Sequence, residues 1–590
     1  MAVERTIPTQ ANTNVATFRI FSNGEQIPET IGVNSIVISK SVNKIPCATI
    51  EMFDGNVAIE DFEHSAGDSF IPGTEIEIKA GYQSIEDTIF KGIIIKHAVK
   101  VITDQTSKLI IELRDVSVKM TVGRKNKYFD ADSLDSDIIE EIIDEYGLDK
   151  EVEATSVTHK EMVQYYATDW DFILSRAEVN GQLIFVDDGK ITVKAPSVSG
   201  DPILNLHYGY NIFEFEANMD ARDQYTTTKA TSWDSVNQEV IESEGADPGL
   251  EEQGNLSASD LADVIGLSEW AMQHSGQIPD QEMQAWTDSK LLRSRLAKIR
   301  GKVKIIGFSD VKPGDVIELG GFGDRFNGKA FVSAIFHDLA PDKKWYTYIE
   351  FGLAQQWVAD KYDDIIDKPA SGLIPAIHGI HQGIVTNISD DPDGEGRIQV
   401  KIPIINPEED GIWARITRQD AGMGDDDSPR GLFFNPEIGD EVVVGFFNDD
   451  PRDPVILGML HSSAKPTPYE ATEDNFEKGI VTRGQLKVTF NDDLKSITLE
   501  TPNENKIVLS DDEGSILIED ENGNKIQMSS DGVTIESASD LNLIASGDVI
   551  IEGTNINITA QSQFKAEGSG GAELSTSGQA VIKGSIVQIN

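Results

Sequence analysis

The chain has 590 residues, with 100 acidic against 50 basic side chains, a formal charge of −50 and a single cysteine, Cys47. That length predicts about four domains, and the charge argues against a nucleic-acid partner, because phosphate binding needs clustered Lys and Arg. One cysteine excludes an intrachain disulfide and a Cys-based zinc site, and it predicts folding in the cytosol. The polar stretch Met1–Asn14 lacks the apolar core of a signal peptide, and apolar runs such as Ile93–Ile95 fall far short of a membrane span. Any export is therefore expected to bypass the general secretory route.

Residues 12–120 read as β-rich, with alternating runs at Ser35–Ser39, Thr74–Lys79 and Leu109–Leu113 between Gly, Pro and Asn turns. A helix is predicted over Leu134–Tyr146, capped by Ser133, striped by Ile138, Ile139, Ile142 and Ile143, and stopped by Gly147. A second helix is predicted over Trp170–Val179, followed by strands Leu183–Val186 and Ile191–Val193. The acidic, turn-rich segment Asn237–Ser259 reads as a connector or exposed loop. An amphipathic helix at Gln281–Ile299 leads into strands Val303–Gly307, Asp315–Leu319, Ala330–Phe336 and Tyr346–Phe351. Ala370–Lys465 reads as a small all-β module, and Pro466–Phe476 as a linker.

From about Val488 to the end, aliphatic pairs alternate with polar turns at a period of roughly eight residues. The expected core of this region includes Ile507, Leu509, Ile516, Ile518, Val533 and Ile535, then Leu541, Leu543, Val549, Ile551, Ile556 and Ile558. One strand plus one turn cannot bury its apolar edge alone, so such units must stack into a closed prism. Periodicity leaves open whether one chain or three chains supply the faces.

Several runs carry a family resemblance. Gly383–Val400, Ile412–Arg415 and Asn435–Phe447 with Asp450–Gly458 resemble, in order, the OB-fold module of VgrG and phage baseplate spike proteins. Gln164–Ile173 is similar to a stretch of the family's tail-hub domain, and Lys312–Ile317 with Phe326–Val332 resembles its second hub barrel. Ser577–Asn590 is similar to the needle end of spikes from extracellular contractile injection systems and type VI secretion relatives.

The resemblance implies a mainly β fold with minor α: hub β-barrels, an OB-fold barrel and a C-terminal trimeric β-helix needle. The implied domains are a first hub β-barrel (1–120), an α+β hub domain (121–236), a connector and helix (237–300), a second hub barrel (301–369), an OB-fold neck (370–465), a linker (466–476) and the needle (477–590). It further implies a homotrimeric, non-enzymatic spike on a hexameric inner tube with baseplate or hub proteins, assembled in the cytoplasm and carried in a secreted or released phage tail-like particle. On sheath contraction the needle would meet the target envelope transiently. A PAAR-repeat tip protein is expected to dock on Ser585, Ile586, Val587, Gln588, Ile589 and Asn590. The alternatives are the spike of a contractile phage baseplate, or a spike carrying a cell-wall hydrolase; the short linker leaves no room for an inserted hydrolase domain.

No cofactor, metal ligand or catalytic residue is expected. Gly323–Ala330 approaches a P-loop, but Ala330 lacks the Mg²⁺-binding hydroxyl and a strand pattern follows, so a hairpin turn is predicted. Asp390, Asp391, Asp393 and Glu395 crowd around Gly394 without the anchor positions of an EF-hand, and read as a solvated hairpin loop, as does Asp425–Asp427. His378 and His381 lack a carboxylate in a metalloprotease pattern, and Cys47 reads as a small buried side chain in the alternating stretch Ile45–Met52.

Overall fold

The computed structural model describes residues 15–101, 107–340 and 344–589. It divides into two compact units: residues 1–378 with 446–451, and residues 379–445 with 452–590.

In the first unit, strict alternation produces the predicted β structure. From Ile36 on, Val33–Ser41 buries every second side chain, as does Cys47–Phe53 from Ala48 on. Ile36, Ile38, Ile50 and Met52 pack there into one core with Leu109, Ile111 and Leu113. The 17-residue strand Ile85–Val101 pairs with Glu75–Tyr82 on one side and Ser107–Arg114 on the other, bending at a register shift between Ile94 and Lys96. Residues 301–369 do not build the second β unit alone. Glu214–Met219 pairs with Ile299–Ile306, and Leu204–His207 lies parallel to Val316–Gly320, so two earlier strands are recruited. Gly328–Leu339 then pairs both with Trp345–Phe351 and with Val33–Ser41, which joins the two β units in one sheet of thirteen strands.

That junction holds a titratable group. His337, on Gly328–Leu339, is fully buried; its Nδ1 accepts from Trp345 Nε1 at 3.3 Å and lies 3.0 Å from Thr347 Oγ1. Burial, helped by the charge of Lys40, pushes its pKa down to about 3. The unfolded chain, with an ordinary His pKa near 6.5, binds the proton that the folded state refuses. The contribution to stability is thus complete above about pH 6.5 and lost as pH falls toward 3, up to about 5 kcal/mol if this site acts alone. His337→Gln should flatten that acid limb, as measured by urea unfolding at pH 4 and pH 7.

The α+β portion follows the sequence closely. Asp135–Asp144 forms a helix that buries Ile138, Ile139, Ile142 and Ile143. Its cap differs from expectation: Asp137 reaches back to the Leu134 N–H at 3.3 Å, while Ser133 sits in a short strand with His159 and donates to the Asp130 carbonyl. Asp169–Val179 is capped by Thr168, whose Oγ1 accepts from the Asp171 N–H at 3.1 Å.

The expected connector is instead a folded layer. Glu239–Glu244 pairs antiparallel with Thr227–Asp234, and Glu269–His274 pairs parallel on its other side. The acidic pattern hid the strand because Glu239, Glu242 and Glu244 all face solvent or its margin. Asp280–Ala297 packs between this sheet and the helix Asp169–Val179. It is therefore buried on more than one side: Met283 and Leu291 are covered, and so are Thr287, Ser289, Arg293 and Ser294. These polar groups are bonded, for example Ser294 Oγ to the Asp223 carbonyl at 2.7 Å.

In the second unit, His381–Asn387, Ile398–Lys401, Ile412–Ile416, Pro454–Met459 and Glu441–Phe446 close into a five-stranded barrel in that order. Val385, Ile398, Val400, Ala414, Val442 and Ile456 fill it. Beyond it, seven strands from Glu477–Val481 to Gly532–Glu536 form an antiparallel meander.

Candidate assembly face

The meander corrects the eight-residue period over its own span. The structural repeat is a two-strand hairpin in which a Lys-led strand alternates with a strand ending in Glu: Lys487–Asn491 with Ser496–Glu500, Lys506–Ser510 with Ser515–Glu519, and Lys525–Ser529 with Gly532–Glu536. The Lys positions recur every 19 residues. Turns between strands hold residues with left-handed backbone, such as Gln485, Lys495, Glu504 and Gly514. Along one edge the turns are tied together: Asn505 Oδ1 accepts from the Glu521 N–H, and Asn524 Oδ1 from the Ala538 N–H at 2.8 Å.

Register sorts the side chains into two faces. On one, Val488, Leu499, Ile507, Ile518, Ile526 and Ile535 stand directly opposite one another from strand to strand. A parallel row runs through Phe490, Ile497, Leu509, Ile516, Met528 and Val533. The other face carries the row Thr489, Thr498, Val508, Leu517, Gln527 and Thr534, flanked by Lys487–Glu500, Lys506–Glu519 and Lys525–Glu536 ion pairs at 3.5, 3.2 and 2.8 Å. At one end of this second face, Tyr469 Oη from the linker meets Thr489 Oγ1 at 2.8 Å and overlies Gly479, where a Cβ would lie 2.5 Å from that oxygen.

Of the two faces, the one with the double aliphatic row is the more open from Ser496 to Ser529. Ile507, Leu509, Ile516 and Ile518 are 38–42% exposed. Val533 and Ile535 are more so. The first row lines a groove of about 930 Å³. A contiguous apolar surface of this kind marks an interface.

After Glu536 the described residues form no further strand. Leu541, Leu543, Val549, Ile551, Ile556 and Ile558 are all exposed, as are Ser585, Ile586, Val587, Gln588 and Ile589; Asn590 lies outside the described residues. A stretch this rich in β-branched residues with no intrachain ladder leaves its backbone donors and acceptors to be met from outside the chain or by water.

The remaining predicted positions take local roles. Leu319 pairs with Gly328, so residues 321–327 close a hairpin at the P-loop-like run. Asp391 receives the Arg397 guanidinium, 2.6 Å from Nη2, together with the backbone N–H of Asp393 and Glu395. These contacts hold its carboxyl well below the usual range. Asp426 accepts from Ser428 N–H and Oγ in an exposed turn. His378 Nδ1 lies 3.0 Å from Asp449, and His381 pairs with Val444 in the barrel. Cys47 is half-buried, less covered than expected, because it opens the strand Cys47–Phe53.

Residues 12–341, more than half of the chain, match the Alg8 N-terminal domain family; residues 381–461 match the Type VI secretion system/phage-baseplate injector OB domain, and residues 496–590 the Phage baseplate V C-terminal trimerisation domain. The chain belongs to the Alg8 N-terminal domain family. The seven-stranded meander and the exposed segment beyond it fall largely inside the trimerisation match. Among similar proteins, the spike protein VgrG1b of Pseudomonas aeruginosa is 23% identical over 264 residues, 41% of this chain and 33% of that protein. VgrG3 of Vibrio cholerae is 32% identical over 81 residues, 13% of this chain and 8% of that protein. The chain therefore spans at most a third of the length of these two relatives. The 43 kDa tail protein of prophage MuSo2 from Shewanella oneidensis superposes with a TM-score of 0.44 at 10% identity, over 58% of this chain and 99% of that one.

Proposed function

We propose that this chain is the structural spike of a contractile injection system: a hub on the inner tube, an OB neck and a needle that pierces the target envelope when the sheath contracts. The observation that carries this reading is the open double row of aliphatic side chains on the meander. Three copies, each presenting such a face, bury it around a common axis, and the apolar area removed from water drives assembly against the combined charge of the chains. The work comes from the sheath; this chain supplies stiffness and a narrow front, and has no catalytic role. Leu541 to Ile558 then continue the column within the threefold, and a PAAR-repeat tip protein docks on the segment 585–590, in a particle assembled in the cytoplasm and then released or secreted.

Mass measurement of the purified full chain at moderate ionic strength should give three copies. A monodisperse monomer would overturn the reading.

A further inference from the structure

The assembly face does not stop at the needle. In the second unit, Leu432, Phe433 and Phe434 form a run of three consecutive apolar residues on the barrel, 44, 79 and 54% exposed. Such a run on a surface is a fault unless something covers it. It follows the hairpin Ala421–Met423/Pro429–Gly431, in which every strand residue is exposed, and an isolated two-stranded hairpin is marginal in water. The run is nonetheless held in place. Arg418 lies 5.0 Å from the Phe433 ring centre, donates to the Phe434 carbonyl at 3.2 Å, and reaches Asn435 Oδ1 at 2.5 Å. Ordering an exposed phenylalanine in advance lowers the entropy lost when a partner covers it.

The run is continuous with the needle's groove. Phe434 lines it together with Ile480, Leu486 and Val488, the start of the first aliphatic row. The neck and the first needle turn are tied by Arg483 and Glu437 at 2.7 Å. The second row, by contrast, ends at Phe490, because its next partner is Lys478. One row therefore runs on to the barrel and the other does not.

We infer that Leu432–Phe434 is a clamp for a second copy of this chain, so that the trimer interface begins on the OB barrel, upstream of the needle strands. The inference rests on the trimeric spike reading. Continuity with the needle face selects the occupant: a different partner would have to share one groove with the neighbouring copy.

The test places the photo-cross-linker p-benzoylphenylalanine at Phe433 in the full chain, with the same group at Val57, an equally exposed hub position (79%), as control. Irradiation of the purified trimer should give species of two and three chains on a denaturing gel from position 433, with the linked peptide mapping to residues 381–541 of another copy. Replacing both Phe433 and Phe434 by Ser should speed exchange of labelled subunits between trimers by about tenfold or more, the factor set by each 1.4 kcal/mol of lost contact. A trimer that yields only links within one chain, or to another protein, and whose exchange is unchanged by the double substitution, overturns the clamp while leaving the spike reading intact. A monomeric mass overturns the spike reading itself.

Discussion

Ile518→Asp should abolish the needle trimer while leaving the hub folded. In one chain Ile518 stands between Ile507 and Ile526 on the aliphatic row that lines the groove. In the assembled column three introduced carboxylates would be stripped of water with no cation beside them, at a cost of several kcal/mol per chain. They would also add to a particle that already carries −50 per chain. Mass measurement should then read single chains, with far-UV circular dichroism of the hub retained. Gln527→Glu, one strand away on the opposite face and beside Thr534, should assemble as the parent does. Equal loss of trimer in both variants would mean that the two faces are assigned the wrong way round.

The second large effect is expected deep in the first unit. Glu178 and Arg293 form an ion pair that is almost fully buried, between the helices Asp169–Val179 and Asp280–Ala297. Glu178 Oε2 also accepts from the Val358 N–H at 2.8 Å, and Arg293 Nη1 donates to the Gln356 carbonyl at 3.1 Å. One pair therefore fixes two helices and the segment that leaves the second β unit. Burial pushes the Glu178 carboxyl up and the Arg293 guanidinium down, each opposed by the other's charge. Arg293→Met should destabilise the hub by about 3–5 kcal/mol, because it leaves a buried carboxylate without its counter-charge. Combining it with Glu178→Gln should restore much of the loss, since the amide carries no charge to desolvate. The cycle is read by urea unfolding of the first unit's tryptophan fluorescence. A double variant no better than Arg293→Met would show that geometry, and not the stranded charge, sets the cost.

Local signals were legible where one residue pattern faced one environment. The four isoleucines of Asp135–Asp144 lie at helical spacing with one side to the core, and the helix formed where they predicted. The alternation of the meander strands is visible in the sequence for the same reason, although strand pairing replaces an eight-residue coil by a hairpin repeating every 19 residues. Signals failed where neighbours on two sides share an element. Asp280–Ala297 buries Thr287, Ser289 and Ser294 because both flanks are covered, so its polar stripe did not mark solvent. Glu239–Glu244 carries three glutamates on a strand that pairs on its inner edge and faces outward, and composition alone reads that as a loop.

The sequence by itself determined that the chain is β-rich, strongly acidic, without an intrachain disulfide, and ended by aliphatic pairs that no single unit can bury. Those are properties of period and composition, and they need no long-range pairing to be read. Only the tertiary structure decided which aliphatic side chains of the meander stay open. Tyr469, from the linker, lies against Thr489 on one side, while Ile507 and Ile518 on the other side are left open to solvent. The joining of the two β units of the first unit through Ala334–Leu339 and Ile36–Ser41 was likewise invisible beforehand, because a strand's choice between partners about 300 residues apart depends on which edges remain free after the nearer hairpins have formed.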